Sequence, residues 1–163
     1  MKEEYRRYIV SAKNKQKDYH KTLQKLRKKS NSIVDILFHE KHYQVFQETD
    51  CLQCANCCKT TSPLFTQRDI QRLSKLFKVK PKTFIEQYLY IDEDDDYVLK
   101  QTPCPFLLPD NYCMIYEHRP EACRAYPHTL QRKIKQIFNL TLKNSEICPA
   151  TDRILEEIHR QIS

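Results

Sequence analysis

The sequence predicts a mainly α-helical protein with a short β-hairpin, a small single domain stitched by metal and led by a long amphipathic N-terminal helix. Three observations carry that expectation. Apolar residues recur at helical spacing over much of the 163 residues. Pro109-Asp110-Asn111 is a turn set between two short apolar runs. Eight cysteines occur beside turn chemistry, where they can tie loops to helices.

Residues 2–28 read as the first helix, with Tyr5, Tyr8, Ile9, Ala12, Tyr19, Leu23 and Leu26 on one face and Lys, Arg and Gln on the rest. Ser32 and Asp35 have capping-box spacing, so a second helix is expected through about Gln47, burying Ile33, Ile36, Leu37, Tyr43 and Phe46. Thr66 and Asp69 repeat the capping box before Ile70, Leu73 and Phe77. Pro81 opens a helix to about Tyr90. Asp92 to Asp96 is an acidic loop. It lacks the Gly of a calcium loop, and Pro103 stands where the bidentate Glu would be. Val98 to Lys100, Cys104 to Leu108 and Tyr112 to Ile115 read as short strands, and Arg119 to Tyr126 as one or two helical turns. Residues 131–138 fit helix or strand. Pro149 starts a last helix with Ile154, Leu155 and Ile158 apolar. The division expected is a basic helical region over 1–47 and a cysteine-cluster domain over 48–163.

The chain has no glycine, against about 7% in an average protein. Positive φ is therefore expected at Asn or Asp, with Asn56, Asn111 and Asn144 at expected turns. Glycine-dependent phosphate loops and dinucleotide fingerprints are excluded, and no nucleophile–base pair stands out. No apolar run approaches the roughly 20 residues of a membrane span. The opening MKEEYRRYIV lacks the apolar stretch of an export signal, so a cytoplasmic location is expected.

The net charge of +7 is uneven. Residues 1–29 hold 11 Lys or Arg against Glu3, Glu4 and Asp18; the remaining residues carry 17 basic and 18 acidic groups. The basic helix is a candidate contact for an acidic partner or nucleic acid, weighed against a solvated helix face.

Cys51, Cys54, Cys57 and Cys58 form C-x2-C-x2-C-C; Cys104, Cys113, Cys123 and Cys148 follow singly. Two intervening residues let the backbone reverse so that two sulfurs face one point, and amides in that turn can donate to the thiolates. Adjacent Cys57 and Cys58 argue against a disulfide framework, and thiols in a reducing compartment favour metal. All eight are candidate metal ligands. Eight thiolates make two closed zinc sites arithmetically. The first three cysteines also match the start of a bacterial ferredoxin pattern, but Thr61 stands at its fourth position. Zinc or iron is thus the expected metal, with an iron–sulfur cluster as one form of the iron. Because Cys57 and Cys58 point in opposed directions, mixed sites are expected. Cys51, Cys54 and Cys57 would share a site with one remote cysteine, and Cys58 would join others. His118 and His128 are candidate ligands weighed against surface or supporting roles. Arg119 and Arg124 are candidates for stabilising thiolate charge or holding a carboxylate, weighed equally against structural salt bridges with Glu117 or Glu121.

The ordered set Cys51, Cys54, Cys57, Cys58, Cys104-Pro105-Phe106-Leu107, Cys113, Ile115-Tyr116, Arg119-Pro120, Cys123-Arg124, Tyr126-Pro127 and Cys148 resembles the YkgJ-type cysteine-cluster family over about residues 48–150. The resemblance implies a zinc- or iron-chelating domain. It extends to the flagellin lysine N-methylase group, which implies methyl-transfer chemistry as an alternative activity. The family commonly has Gly after the second cysteine, where this chain has Ala55.

Overall fold

The computed structural model describes residues 1–163, of which 62% are helical. By contacts the chain forms two compact units, one from Met1–Cys54 with Pro127–Ser163, the other from Ala55–Tyr126.

The first unit is built from four helices, α1 (Glu3–Arg27), α2 (Asn31–Phe46), α7 (Phe138–Ser145) and α8 (Pro149–Ile162). Tyr19, Leu23 and Leu26 of α1 meet Val34, Phe38 and Val45 of α2 and Ile154, Leu155 and Ile158 of α8 in one apolar cluster. The 3.6-residue periodicity of α1 is thus a true record of its buried face. Tyr19 donates a 2.5 Å hydrogen bond from its hydroxyl to the carboxylate of buried Asp152, with the Lys15 ammonium 3.7 Å from the other oxygen. A carboxylate in an apolar core needs such partners.

The second helix departs from its expected face. Leu37 and Phe46 pack partly buried against the core as expected, but Ile33, Ile36 and Tyr43 are exposed, and Val34, Phe38 and Val45 are buried instead. This helix carries apolar residues around its whole circumference, so periodicity alone does not select a side. Its cap also shifts. Ser30, not Ser32, accepts from the Ile33 amide. Asp35 instead accepts from the amides of Lys133 and Ile134, at 2.7 and 3.0 Å.

The second unit contains α3 (Asn56–Thr60), β1 (Leu64–Phe65), α4 (Gln67–Leu76), α5 (Pro81–Tyr88), β2 (Leu89–Ile91), β3 (Tyr97–Leu99) and α6 (Glu121–Ala125). The strands form an antiparallel sheet in the order β1-β3-β2, with Leu64 opposite Val98 and Tyr90 opposite Val98 on the other edge. The true hairpin is β2–β3, closed by the acidic loop, where Asp92 accepts from the Asp94 and Asp96 amides. The expected strands at 104–108 and 112–115 reduce to one bridge, Leu107 to Cys113. The Thr66–Asp69 capping box and the Pro81 helix start both form. Phe65, Ile70, Leu73, Phe84, Leu89, Leu99, Phe106 and Ile115 make this unit's own apolar cluster.

Positive φ falls on Ala55, Lys78, Asp95, Asn111, His128 and Lys133. Asn111 fits the expectation; Asn56 and Asn144 lie in helices instead. With no glycine to take these positions, ordinary side chains bear the left-handed cost, about 1–2 kcal/mol each.

Candidate metal centre

In the second unit Cys57 and Cys58 lie on α3, a helix entered through Ala55 at φ 50° and ψ 20°. That left-handed residue turns the chain where the resembled family commonly has Gly. The Cys58 carbonyl accepts from the Cys104 amide at 2.8 Å, which ties the compact cluster to the first remote cysteine. From Cys104 the chain turns back through Pro105. Phe106 is buried in the apolar cluster, in tilted ring contact with Phe77 and Tyr88, and anchors the turn. The amides of Phe106 and Leu107 donate to the Cys104 sulfur, and the Ile115 amide donates to that of Cys113. Such N–H to sulfur bonds disperse thiolate charge at a ligand turn. The Leu107–Cys113 bridge holds the two turns side by side.

Cys123 lies on α6. Two residues position it: Asp69, expected only as a helix cap, and Arg72, which the sequence reading did not single out. The Asp69 carboxylate accepts from the Glu121 amide, 3.2 Å away at the start of α6, and also from Thr66. Arg72 lies against Asp69 at 2.8 Å and donates to the carbonyls of His118 and Arg119 at 2.6 and 3.0 Å. The i,i+3 pair is legible in the sequence. Its targets lie 46 and 47 residues further on, and no local pattern signals them. Burial raises the Asp69 carboxyl, but the Thr66 bonds, Arg72 and the Glu121 amide together hold it below its ordinary value.

Cys58, Cys104, Cys113 and Cys123 lie within one another's electrostatic reach. Burial, then the charges of Cys58, Cys104 and Cys113, push the Cys123 thiol up to about 12. Burial and the charges of Cys58 and Cys113 raise Cys104 to about 11. Cys113 rises through burial and Cys58. Cys58 alone is lowered, to about 7. The Cys57 sulfur lies 4.0 Å from it, so the two side chains do not point apart as expected, and the hydrogen bond between them, with the charges of Arg119 and Lys59, outweighs burial. Arg119 also acts on Cys113 and Cys123. Its guanidinium lies 3.7 Å from the centre of the Tyr116 ring, with Nε bonded to the Tyr116 carbonyl.

The first unit holds Cys51, Cys54 and Cys148. Asp50 caps the turn at Cys51–Gln53, and the Cys54 amide donates to the Cys51 carbonyl at 3.1 Å. The N-terminal end of α1 holds this turn. The Tyr5 hydroxyl accepts from the Asp50 amide, and the Lys2 amide donates to the Gln53 carbonyl. Cys148 stands at the N-cap of α8, where the Thr151 and Ala150 amides donate to its sulfur. Burial raises its thiol, and the charge of Cys54 adds to that rise.

None of the eight cysteines is in a disulfide. No three Cys, His, Asp or Glu side chains converge to the spacing of a formed ion site. The donor chemistry fits a soft metal all the same. Neighbouring thiols raise one another's pKa because their negative charges repel, and a bound cation removes that repulsion. Amides aimed at sulfur and a guanidinium alongside are the surroundings a thiolate-rich ion needs. His118 is exposed, and its carbonyl, rather than its ring, is held by Arg72. Burial lowers the pKa of the half-buried His128 ring.

Fold and cysteine arrangement together define a small, mainly helical, thiol-rich protein. Residues 50–149 match the CxxCxxCC family model, described as "Putative zinc- or iron-chelating domain", and the chain belongs to this family. No curated protein and no solved structure matches the chain. No helix is long and apolar enough to cross a membrane.

Proposed function

We propose that this chain is a metal-chelating module that holds zinc or iron through cysteine thiolates, and that all eight cysteines serve as ligands in two sets. Cys58, Cys104, Cys113 and Cys123 form the set in the second unit, and Cys51, Cys54 and Cys148 contribute to another in the first. Cys57, whose thiol reaches toward Cys58, is the eighth ligand. The observation that carries this reading is the mutual electrostatic influence of Cys58, Cys104, Cys113 and Cys123, with backbone amides donating to two of those sulfurs. Four thiolates close a tetrahedral shell and leave no open position, which suits a structural or metal-holding role.

The test is elemental analysis of anaerobically purified protein, with acid-labile sulfide measured alongside. Zinc or iron at one or more ions per chain without sulfide supports simple chelation, and iron with sulfide identifies a cluster in the same thiolates. Cys58→Ser should lower metal content and expose Cys104, Cys113 or Cys123 to a thiol reagent. Unchanged stoichiometry and unchanged thiol protection in that variant would remove Cys58 from the ligands.

A further inference from the structure

The first helix has a second side with its own organisation. Arg6, Lys13, Lys17, Lys21 and Lys28 are all exposed. At 3.6 residues per turn they fall within an arc of about 80°. Tyr5, Ala12, Tyr19, Leu23 and Leu26 lie buried on the opposite side. The five cations therefore form a straight ridge, spanning about 33 Å at 1.5 Å per residue. Glu3 lies 4.0 Å from Arg6, and Asp18 lies 3.8 Å from Lys21. Lys13, Lys17 and Lys28 are in no ion pair. Lys13, Lys17 and Lys21 follow one another at i,i+4, a like-charge spacing that opposes helix formation. Asp18 beside Lys21 offsets part of that repulsion, whereas Lys13 and Lys17 have no ion-pair partner.

We infer that this ridge of α1 is a docking surface for the phosphate backbone of duplex nucleic acid, independently of the metal reading. Two features select that partner. The only large apolar residue on the ridge is Val10, while the apolar face of α1 is occupied in the core. A helix that inserts into a lipid surface needs its apolar face available. The ridge also carries no aromatic residue on which unpaired bases could stack. What remains is a rod of regularly spaced cations. Its length of about 33 Å is close to one turn of a duplex, about 34 Å, so its cations can meet phosphates where the two backbones pass it. Contacts of that kind position a protein on a duplex without reading sequence.

The experiment uses the full metal-loaded chain and fluorescence anisotropy with labelled 20-base-pair DNA and RNA duplexes over a salt series. Five phosphate contacts give a slope of about −4.5 in log affinity against log salt, at about −0.9 per phosphate. The variant Lys13→Gln, Lys17→Gln, Lys21→Gln should reduce that slope by about 2.7 and weaken binding at least about tenfold. Its helical circular dichroism should be unchanged, because these side chains are exposed. The comparison variant Lys78→Gln, Lys80→Gln, Lys82→Gln has the same net charge and alters exposed lysines of the second unit. It should bind as the parent does. Equal binding of DNA and RNA, or preference for one, both support the ridge and identify the duplex. Equal losses in the two variants would show a response to net charge alone and overturn the inference. So would no binding at about 50 mM salt, or tighter binding to phosphatidylserine vesicles than to either duplex at equal phosphate.

Discussion

The two units solve the same stability problem by different means. The first has long helices and a continuous apolar cluster, with Phe38, Ile154, Leu155 and Ile158 fully buried. It includes three of the eight cysteines. The second has a three-stranded sheet of very short strands, helices of five to ten residues and a smaller cluster. It includes five cysteines, four of which lie within one another's electrostatic reach. Short elements bury too little surface to offset the entropy of ordering long loops. On the function proposed above, metal ligation should matter most where the apolar core is smallest.

Metal removal is the strongest way to break that comparison. Structural zinc contributes about 10–16 kcal/mol apparent in small peptides. The cluster around Phe84 and Phe106 should keep the loss here to several kcal/mol by the same reasoning. After chelation, amide hydrogen exchange should accelerate first across residues 100–126, with α1 and α8 still protected. Uniform loss of protection, or none after verified metal loss, would put the dependence elsewhere.

The converse variant addresses the first unit. Phe38 is fully buried and its ring centre lies 5.9 Å from that of Phe138. Phe38→Ala should cost about 3–5 kcal/mol. Thermal unfolding should show the loss, and metal content per folded molecule should be retained. If metal falls in proportion to stability, the two units are not independent in this respect.

Asp69 sharpens the comparison inside the second unit. Asp69→Ala removes a buried carboxylate from Arg72, Thr66 and the Glu121 amide, at a cost of about 3 kcal/mol. It should also increase the reactivity of Cys123 toward a thiol reagent. The pH dependence has a definite sign. The folded carboxyl lies below its ordinary value, so its stabilisation is fully present above the ordinary carboxylate range and is lost as pH falls through the folded pKa. The difference between parent and variant should therefore be constant near neutrality and shrink only in acid. A difference that peaks in acid would contradict this assignment.

The smallest effect expected is a gain. Ala55 adopts φ 50° at the entry to α3, where glycine carries no Cβ penalty. Ala55→Gly should stabilise the chain by about 1 kcal/mol and leave metal content unchanged, measured by denaturant midpoint and elemental analysis. Destabilisation would mean that the methyl group of this 6% exposed residue packs well enough to outweigh the backbone strain.

Local chemistry was legible in the sequence, and long-range closure was not. The Thr66–Asp69 capping box, the Pro81 and Pro149 helix starts, and the Asn111 turn formed as read. The face of α2 could not be read, because Ile33 and Ile36 are as apolar as the buried Val34 and Phe38. The helix α7 escaped notice because Asn139, Thr141 and Asn144 weaken its pattern; Thr141 and Asn144 are buried there by tertiary packing. The hairpin was expected at 104–115 and stands at 89–99, because Cys104 and Cys113 sit in turns held by amide–sulfur bonds rather than in ladders.

By itself the sequence determined the family and the places where helices begin. Each depends on residues a few positions apart, whose geometry follows from backbone sterics and capping bonds. Only the tertiary structure decided that Cys58 keeps company with Cys104, Cys113 and Cys123, and Cys54 with Cys148. It alone revealed that Asp69 and Arg72 hold the segment before Cys123. These arrangements close loops of tens of residues. The energy that selects them comes from burial of Phe106 and its neighbours, summed over a cluster that no short stretch of sequence contains.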